Sequence, residues 1–357
     1  MSPEASEARQ RPNLAAVAAL AGVSASTASL AFSGAGPVSP ATKARVLAAA
    51  AKLDYAGPDP RAQSLRRGRS GIVGVVLEDS LADAFRDPMN IAMLDGIADE
   101  TGSAGASLLL LTEVGPDRAS IASAPMDGVI LIGCSTSLEE SVAIVRQRGL
   151  PIVAIEAQPM DAVLPIALDN RLATSTAARH LKSLGHVHVA VVTLPLVRPH
   201  LAGPLAADWE ATATSYTAIQ RLKGVSDVFD SFTGFVASQS SIEAGEVAGA
   251  ALLDGAPTAG DRPTAIIAQS DLIAVGVIRA AEALGLRVPE DVSVVGFDGV
   301  RVDLGQHDLA TLVQPAVEKG RAAGRAVMDM LAGRDGVAAD FTSVFHEGNT
   351  TARPPSR

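Results

Sequence analysis

The chain has 357 residues, of which 48% are hydrophobic and 19% charged. This is an ordinary soluble globular composition, and the length suits a small module plus a larger two-lobed one rather than a single small core. A single cysteine, Cys134, excludes an internal disulfide framework and suits a reducing compartment, and no run of about 18 apolar residues exists to span a membrane. The net charge of −10 argues against a nucleic-acid binder until it is divided along the chain. Residues 1–70 hold nine Lys/Arg and four Asp/Glu (+5), which leaves 20 against 35 (−15) for the rest. A basic module joined to an acidic body is what phosphate binding by one end requires.

Residues 1–12 are polar, carry Pro3 and Pro12, and are expected to form a disordered tail. Arg9 and Arg11 followed by the apolar run from Leu14 have the outline of a secretory signal. Glu4 and Glu7 in the leader, the predominance of alanine in the run and the basic helical segment that cleavage would leave all argue against one. Asn13 caps an expected helix over 14–21, whose Leu14, Val17, Leu20 and Ala21 recur at helical spacing. Ala21-Gly22-Val23 is a tight turn, Ser24 caps a second helix over 25–32, and Ser39-Pro40 opens a third that runs to about Leu53. Asp59-Pro60 starts a short segment, 61–67, that Gly68 to Gly71 end. Beyond it, apolar strands (72–77, 107–111, 128–132, 151–155, 187–193, 264–268, 292–297) alternate with helices (88–101, 138–148, 172–184, 215–222, 241–253, 271–284, 316–331). That alternation predicts parallel sheets covered on both faces, and its length predicts two doubly wound lobes.

A helix, a glycine turn and then Ser24-x-x-Thr27-x-Ser29 form a helix-turn-helix pattern. The first helix packs across the DNA backbone while the turn aims the second, amino end first, into the major groove, and short hydroxyl residues reach phosphates or base edges. An alanine-rich three-helix bundle without any nucleic-acid role is the alternative reading of these residues.

The chain resembles the LacI/GalR family of bacterial transcription regulators along nearly its whole length. The likeness runs through Val17-Ala18-x-x-Ala21-Gly22-Val23-Ser24-x-x-Thr27-x-Ser29, Val38-Ser39-x-x-Thr42-x-x-Arg45-Val46, Leu53-x-Tyr55 and Pro58-Asp59-x-x-Ala62-x-x-Leu65. It continues in Ile72 to Val76, Asp169-Asn170, His180-Leu181-x-x-Leu184-Gly185-His186, Ser270-Asp271-x-x-Ala274-x-Gly276, Val288-Pro289-x-Asp291 to Asp298, and Gln314-Pro315. The resemblance implies an α/β core of the type I periplasmic-binding-protein kind, with two doubly wound lobes, behind an N-terminal all-α helix-turn-helix headpiece. It also implies a cytoplasmic homodimeric repressor without enzymatic activity, cofactor, metal or membrane association. Its partners would be a double-stranded, pseudo-palindromic operator and a small-molecule effector, sugar or nucleoside-like, held between the lobes. The domain division expected is a tail (1–12), headpiece (13–57), hinge (58–70), core (71–350) and C-terminal tail (351–357). One lobe is expected from 71–168 with 299–325, the other from 169–298 with 326–350.

The resemblance also assigns residues. Ser24, Ala25, Ser26, Thr27, Ser29, Leu30 and Arg45 would meet DNA. In the hinge, Leu65 would be the apolar wedge in the minor groove, with Ala62 permitting close approach and Arg61 neutralising phosphate. Among these, Ala25, Ser26 and Leu30 occupy base-reading positions, and none forms the bidentate contact worth about 1–3 kcal/mol of discrimination. For the effector, Asp271 follows a strand and either caps its helix or accepts from ligand hydroxyls. Asp169 ends another strand, and Gln314 lies in the crossover between lobes. The first loop of the core departs from the family's Asn-Pro-Phe-Phe and reads Phe85-Arg86-Asp87-Pro88-Met89-Asn90. The stretch 198–214 lacks the family's Arg-x-x-Gly-Phe and carries Trp209. Phe85, Asn90 and Trp209 are therefore effector candidates, the two aromatics either stacking on ligand or filling core.

Competing chemistries find little support. Gly102-Ser103-Ala104-Gly105-Ala106 follows a helix and precedes a strand, the reverse of a phosphate loop. His186-x-His188 lacks further metal-ligand partners in sequence, and neither a nucleophile elbow nor a P-loop occurs. A secreted solute-binding protein, with the same core, is the serious alternative. Because base-specific hydrogen bonds from the second helix are few, Leu65→Ala is expected to weaken operator binding far more than non-specific binding. Parallel titrations of specific and random duplexes check this, and an unchanged ratio would refute it.

Overall fold

The computed structural model describes residues 12–34, 36–58, 68–78, 80–112, 119–132, 136, 138–254 and 262–356. The hinge residues Arg61, Ala62 and Leu65, the tail before residue 12 and Cys134 lie outside them. The chain divides into two compact units, Met1–Ser70 and Gly71–Arg357. No single helix among the described residues is long and apolar enough to cross a membrane.

The first unit holds α1 (Leu14–Ala21), α2 (Ala25–Ser33) and α3 (Pro40–Lys52). Each begins on the expected cap: Asn13 Oδ1 accepts from Ala16 N (2.9 Å), Ser24 Oγ from Thr27 N (3.1 Å) and Ser39 Oγ from Thr42 N (3.2 Å). Gly22 ends α1 at φ 64°, a left-handed conformation that costs glycine nothing. Val17, Ala18, Ala21, Ala28, Ala31, Val46, Ala49 and Ala50 form the small core, closed by an edge-on contact between Phe32 and Tyr55 (ring centroids 5.8 Å apart). With residues this small, the three helices pack closely.

The second unit contains, in order, β1 (Ile72–Leu77), α4 (Leu81–Ala84), α5 (Pro88–Ser103), β2 (Ser107–Thr112), α6 (Ala119–Ser123), β3 (Gly128–Ile132), α7 (Leu138–Gln147), β4 (Ile152–Ile155) and β5 (Leu164–Leu168). Then come α8 (Asn170–Leu184), β6 (Val189–Thr193), β7 (Gly203–Pro204), α9 (Trp209–Thr212), α10 (Tyr216–Ser226), β8 (Thr233–Val236), α11 (Ile242–Leu253), β9 (Ala265–Ala268) and α12 (Asp271–Ala283). The last elements are β10 (Ser293–Asp298), β11 (Ala310–Val313), α13 (Ala316–Leu331), β12 (Ala339–Phe341) and β13 (Val344–His346). They build two sheets, ordered β12-β5-β4-β3-β1-β2 and β13-β11-β10-β9-β6-β8-β7. Every pairing in the first is parallel, and in the second only the edge strands β13 and β7 run antiparallel. Strands β3, β4, β6, β9 and β10 are buried along their whole length, which is why they read as unbroken apolar runs.

The chain passes between lobes three times, at 168–170, 313–316 and 341–344. This corrects the expected lobe boundaries. β11 pairs with β10 in the second lobe, whereas α13 packs on α5 and β12 pairs with β5 in the first. Four- and three-residue strands such as β11 and β12 carry too short a pattern to reveal which sheet they join.

The α5–α13 contact fixes where the second crossover delivers its side chains. A Cβ placed on Gly320 would lie 2.1 Å from the Met93 carbonyl oxygen, and one on Gly96 would lie 2.1 Å from that of Val317. Only glycine admits so close an approach of two helix backbones. Gly320→Ala is expected to destabilise the core by about 1–3 kcal/mol through overpacking, read as a lower urea midpoint with little change in slope. A midpoint equal to wild type would show that the helices separate freely.

Candidate functional site

The headpiece presents one face of α2. The helix turns 102° from α1, buries Ala28 and Ala31, and leaves Ala25, Ser26 and Leu30 exposed with Thr27 and Ser29 half-buried. Ser24 Oγ lies 2.8 Å from both Ser26 Oγ and Thr27 Oγ1, so the capping hydroxyl also bonds to two neighbouring hydroxyls. Arg45 is exposed on α3. Ser24 to Thr27 thus lie at an accessible helix amino end, where the helix dipole and backbone N–H groups favour a phosphate, while Leu30 lies further along α2 and Arg45 within α3.

In the second unit a cavity opens at the carboxyl ends of both sets of strands, the usual ligand position in open α/β sheets. Met89, Met93, Ile132, Ile155, Leu194 and Pro195 supply its apolar wall. Its polar groups come from Glu78, Asp87, Asn90 and Glu156 of the first lobe, Arg221, Ser240, Ser270 and Asp298 of the second, and Gln314 of the crossover. The cavity encloses about 80 Å³, room for a handful of water-sized groups.

Its floor is a buried polar network. Glu156, at φ 57° just beyond β4, accepts from Lys319 Nζ and from Asn170 Nδ2 (2.8 Å), with Arg221 Nη2 at 3.6 Å. Lys319 is wholly buried and also donates to Gln314 Oε1. Arg221 donates to Asn170 Oδ1 (2.8 Å) and to the Gln269 carbonyl, lies 3.8 Å from Asp298 Oδ1, and stacks on Phe297, 3.5 Å from the ring centroid. Gln314 Nε2 donates to Asp298 Oδ1 (2.7 Å). Burial pushes the Glu156 carboxyl up, but Lys319 and Arg221, with hydrogen bonds from Lys319 and Asn170, outweigh this and hold it below its ordinary range. At Asp298 burial prevails and raises the carboxyl well above its ordinary value against the pull of Arg221, helped by the charges of Asp271 and Asp87. Burial also raises Asp87, whose Oδ1 caps α5 by accepting from Met89 N (2.8 Å).

A second cross-lobe cluster flanks the cavity. Glu78 Oε1 accepts from Thr136 N (2.7 Å) and lies 3.2 Å from His200 Nε2 and 3.9 Å from Arg198 Nη2. Thr214 Oγ1 donates to the Thr136 carbonyl (3.0 Å).

Of the expected effector residues, Asn90 and Gln314 line this cavity and the other four do not. Asp271 is fully buried behind it. Ser270 is the helix cap, so the first helical side chain turns inward, where Asp271 Oδ1 accepts from Thr311 Oγ1 (2.5 Å) and Oδ2 from Val300 N (2.8 Å). A Cβ on Gly296 would lie 2.2 Å from Asp271 Oδ1, so β10 admits this carboxyl by having no side chain there. The carboxyl that reaches the cavity from this region is Asp298. Asp169 instead joins two crossovers, its Oδ1 accepting from Ser343 N (3.1 Å) while its own N–H donates to the Phe341 carbonyl (3.1 Å). Phe85 is 55% exposed in the turn after α4, and Trp209 is packed into the core of the second lobe. Sequence reasoning missed Glu78, Glu156 and Asp298, although the first two stand directly after an apolar strand and the third closes one.

Burial raises the Asp271 carboxyl to about 7, against hydrogen bonds from Thr311 and the Gly299 and Val300 amides. The folded core therefore holds this proton more tightly than the unfolded chain, and its stability falls as pH rises from about 4 to about 7. Asp271→Asn keeps an acceptor for Val300 N and is expected to flatten that fall. Urea unfolding of wild type and variant at pH 5 and 7.5 measures it, and identical pH slopes would assign the effect to another group.

Comparison with known proteins agrees with both halves of the chain. The profile for bacterial regulatory proteins of the lacI family matches residues 13–57, and that for a periplasmic binding protein-like domain matches residues 178–346. An HTH-type transcriptional regulator of Mycolicibacterium smegmatis is 32% identical over 339 residues, covering 90% of this chain and 91% of that protein. Among solved structures, the lac repressor dimer bound to operator and the anti-inducer ONPF is similar at TM-score 0.74 and 23% identity, covering 96% of this chain and all of that one. The complex of the transcriptional regulator CelR with cellobiose is similar at TM-score 0.66 and 24% identity, with 95% and 100% covered. With a helix-turn-helix at one end and a two-lobed periplasmic-binding-protein-like core behind it, the chain belongs to the LacI family of transcriptional regulators.

Proposed function

We propose that this regulator is a cytoplasmic homodimeric repressor, and that a small molecule, sugar or nucleoside-like, bound between its lobes sets its affinity for a pseudo-palindromic operator. The observation that carries this reading is the cavity itself, whose polar lining is drawn from both lobes and from the crossover joining them. The cavity lies between the lobes, so a ligand that touches both couples its occupancy to the lobe angle. A ligand shifts such an equilibrium only through differential contacts with the two arrangements, and groups on both lobes provide them. The complexes of CelR with cellobiose and of the lac repressor with operator are precedents on the same fold.

On the DNA side, Ala25, Ser26 and Leu30 face base edges, while Ser24, Thr27, Ser29 and Arg45 hold the backbone. Residues 58–70 form the hinge, in which Arg61, Ala62 and Leu65 engage the minor groove. The hinge runs directly into β1, so a change in lobe angle alters how two hinges of a dimer pair. A secreted solute-binding protein would have no use for the capped headpiece.

Linkage supplies the test. Calorimetric titration of an effector with and without operator should give affinities that differ by the same factor by which effector changes operator affinity, typically 5–150-fold. Equal effector affinities in the two titrations would mean that the core does not regulate the headpiece.

A further inference from the structure

The stretch that joins β6 to α10 is rooted in the second lobe and reaches across to the first. It leaves β6 at Thr193, pairs Gly203 and Pro204 with β8, forms α9 and returns at Ser215. Trp209 anchors it in the core of the second lobe. Its two ends are fastened together, because Thr214 N and Ser215 N both donate to the Leu196 carbonyl (2.8 and 3.2 Å). From this closed base it touches the first lobe at Glu78, beyond β1, and Thr136, beyond β3. His200 Nε2 lies 3.2 Å from Glu78 Oε1 and 3.3 Å from Thr136 Oγ1. Arg198 Nη2 stands 3.9 Å from Glu78 Oε1, and Thr214 Oγ1 donates to the Thr136 carbonyl (3.0 Å).

The strength of this contact depends on a proton. One oxygen, Glu78 Oε1, accepts from Thr136 N (2.7 Å) and Thr136 Oγ1 (2.5 Å) while facing His200, which suits a carboxylate rather than an acid. Having given its hydrogen to Glu78, Thr136 Oγ1 offers His200 only lone pairs. Nε2 therefore faces two acceptors and carries a proton whether the ring is neutral or charged. A second proton, on Nδ1, turns a neutral hydrogen bond into a charged one against a side chain only 10% exposed. Among the described residues, other charged groups surround the contact. Arg198 lies on the same segment, while Asp87, Glu156, Asp298 and Arg221 line the adjacent cavity with Glu78. Glu139 and Glu140 line a second cleft with Thr136 and Thr214.

We propose that residues 198–214 form a pH-sensitive clasp between the lobes, in which protonation of His200 tightens its hold on Glu78. Acid then favours the closed arrangement and alkali loosens it. The clasp biases the angle between the lobes without filling the cavity, so pH acts on that angle separately from any small molecule.

The test uses the full-length chain with Cys134→Ser, Gln147→Cys in the first lobe and Ser226→Cys in the second, labelled with a dye pair and mixed with excess unlabelled protein. Single-molecule energy transfer then reports the fraction of molecules whose lobes are parted. Raising the pH from 5.5 to 8 should increase that fraction about threefold, the scale of a partly exposed ion pair. His200→Gln keeps a donor for Glu78 but cannot titrate, and should flatten the response. Thr214→Val removes the neighbouring bridge, and should raise the parted fraction at both pH values while leaving the response in place. A parted fraction that ignores pH in the parent protein would overturn the proposal. So would a response that survives in His200→Gln, since it would belong to one of the surrounding carboxyls. Neither effector nor operator is present, so the outcome is independent of the regulatory reading above.

Discussion

A carboxylate buried where two lobes meet has to be neutralised by groups that reach it from both, and much of this core follows from that requirement. Glu156 belongs to the first lobe, as does Lys319, while Asn170 and Arg221 come from the second. Removing one member would leave a buried charge uncompensated, a cost of about 3–5 kcal/mol. The same Arg221 extends to Asp298, and the same Lys319 to Gln314, which itself holds Asp298. The tie between lobes and the polar floor of the interlobe cavity are therefore a single network. Whatever rearranges one rearranges the other, and the strained backbone at Glu156 (φ 57°) and Asp298 (φ 126°) lies at its two ends.

Sequence legibility followed the strength of local signals. The headpiece was readable almost residue by residue, because Asn13, Ser24 and Ser39 are caps whose chemistry acts within one turn of helix. The two-lobed α/β core was equally readable from its apolar strands. The crossovers were not, since β11, β12 and β13 are three or four residues long and their lobe is decided by pairing partners far along the chain. The cleft was legible only in part. Asn90 and Gln314 line the cavity, whereas Asp271, singled out in sequence, does not and Asp298, which was not singled out, does. Both acids adjoin strands, and only the inward turn of a capped helix beneath Gly296 separates a packing carboxyl from one that faces the cavity. Lys319 and Arg221 carried no signal at all. Each shares an amphipathic helix with further basic residues (Lys223 beside Arg221, Arg321 and Arg325 beside Lys319), a pattern that ordinarily marks a solvated face.

The division of charge along the chain takes on meaning with the architecture. The basic end coincides with the capped helices whose amino termini face outward, and the acidic remainder forms the core. An acidic core repels the phosphate backbone, so non-specific attraction is confined to the end that reads sequence.

The three passages of chain between the lobes also bear on how the protein is made. The first lobe takes β1 to β5 from residues 72–168, but its sheet is completed by β12 and its α5 face is covered by α13, which come after the entire second lobe except β13. During synthesis the headpiece emerges whole, whereas the first lobe waits, with Met93 and Ile97 uncovered, until residues 316–341 have left the ribosome. The helix-turn-helix part of the molecule is thus finished long before the part that holds the interlobe cavity, and a truncated chain would keep the former without the latter.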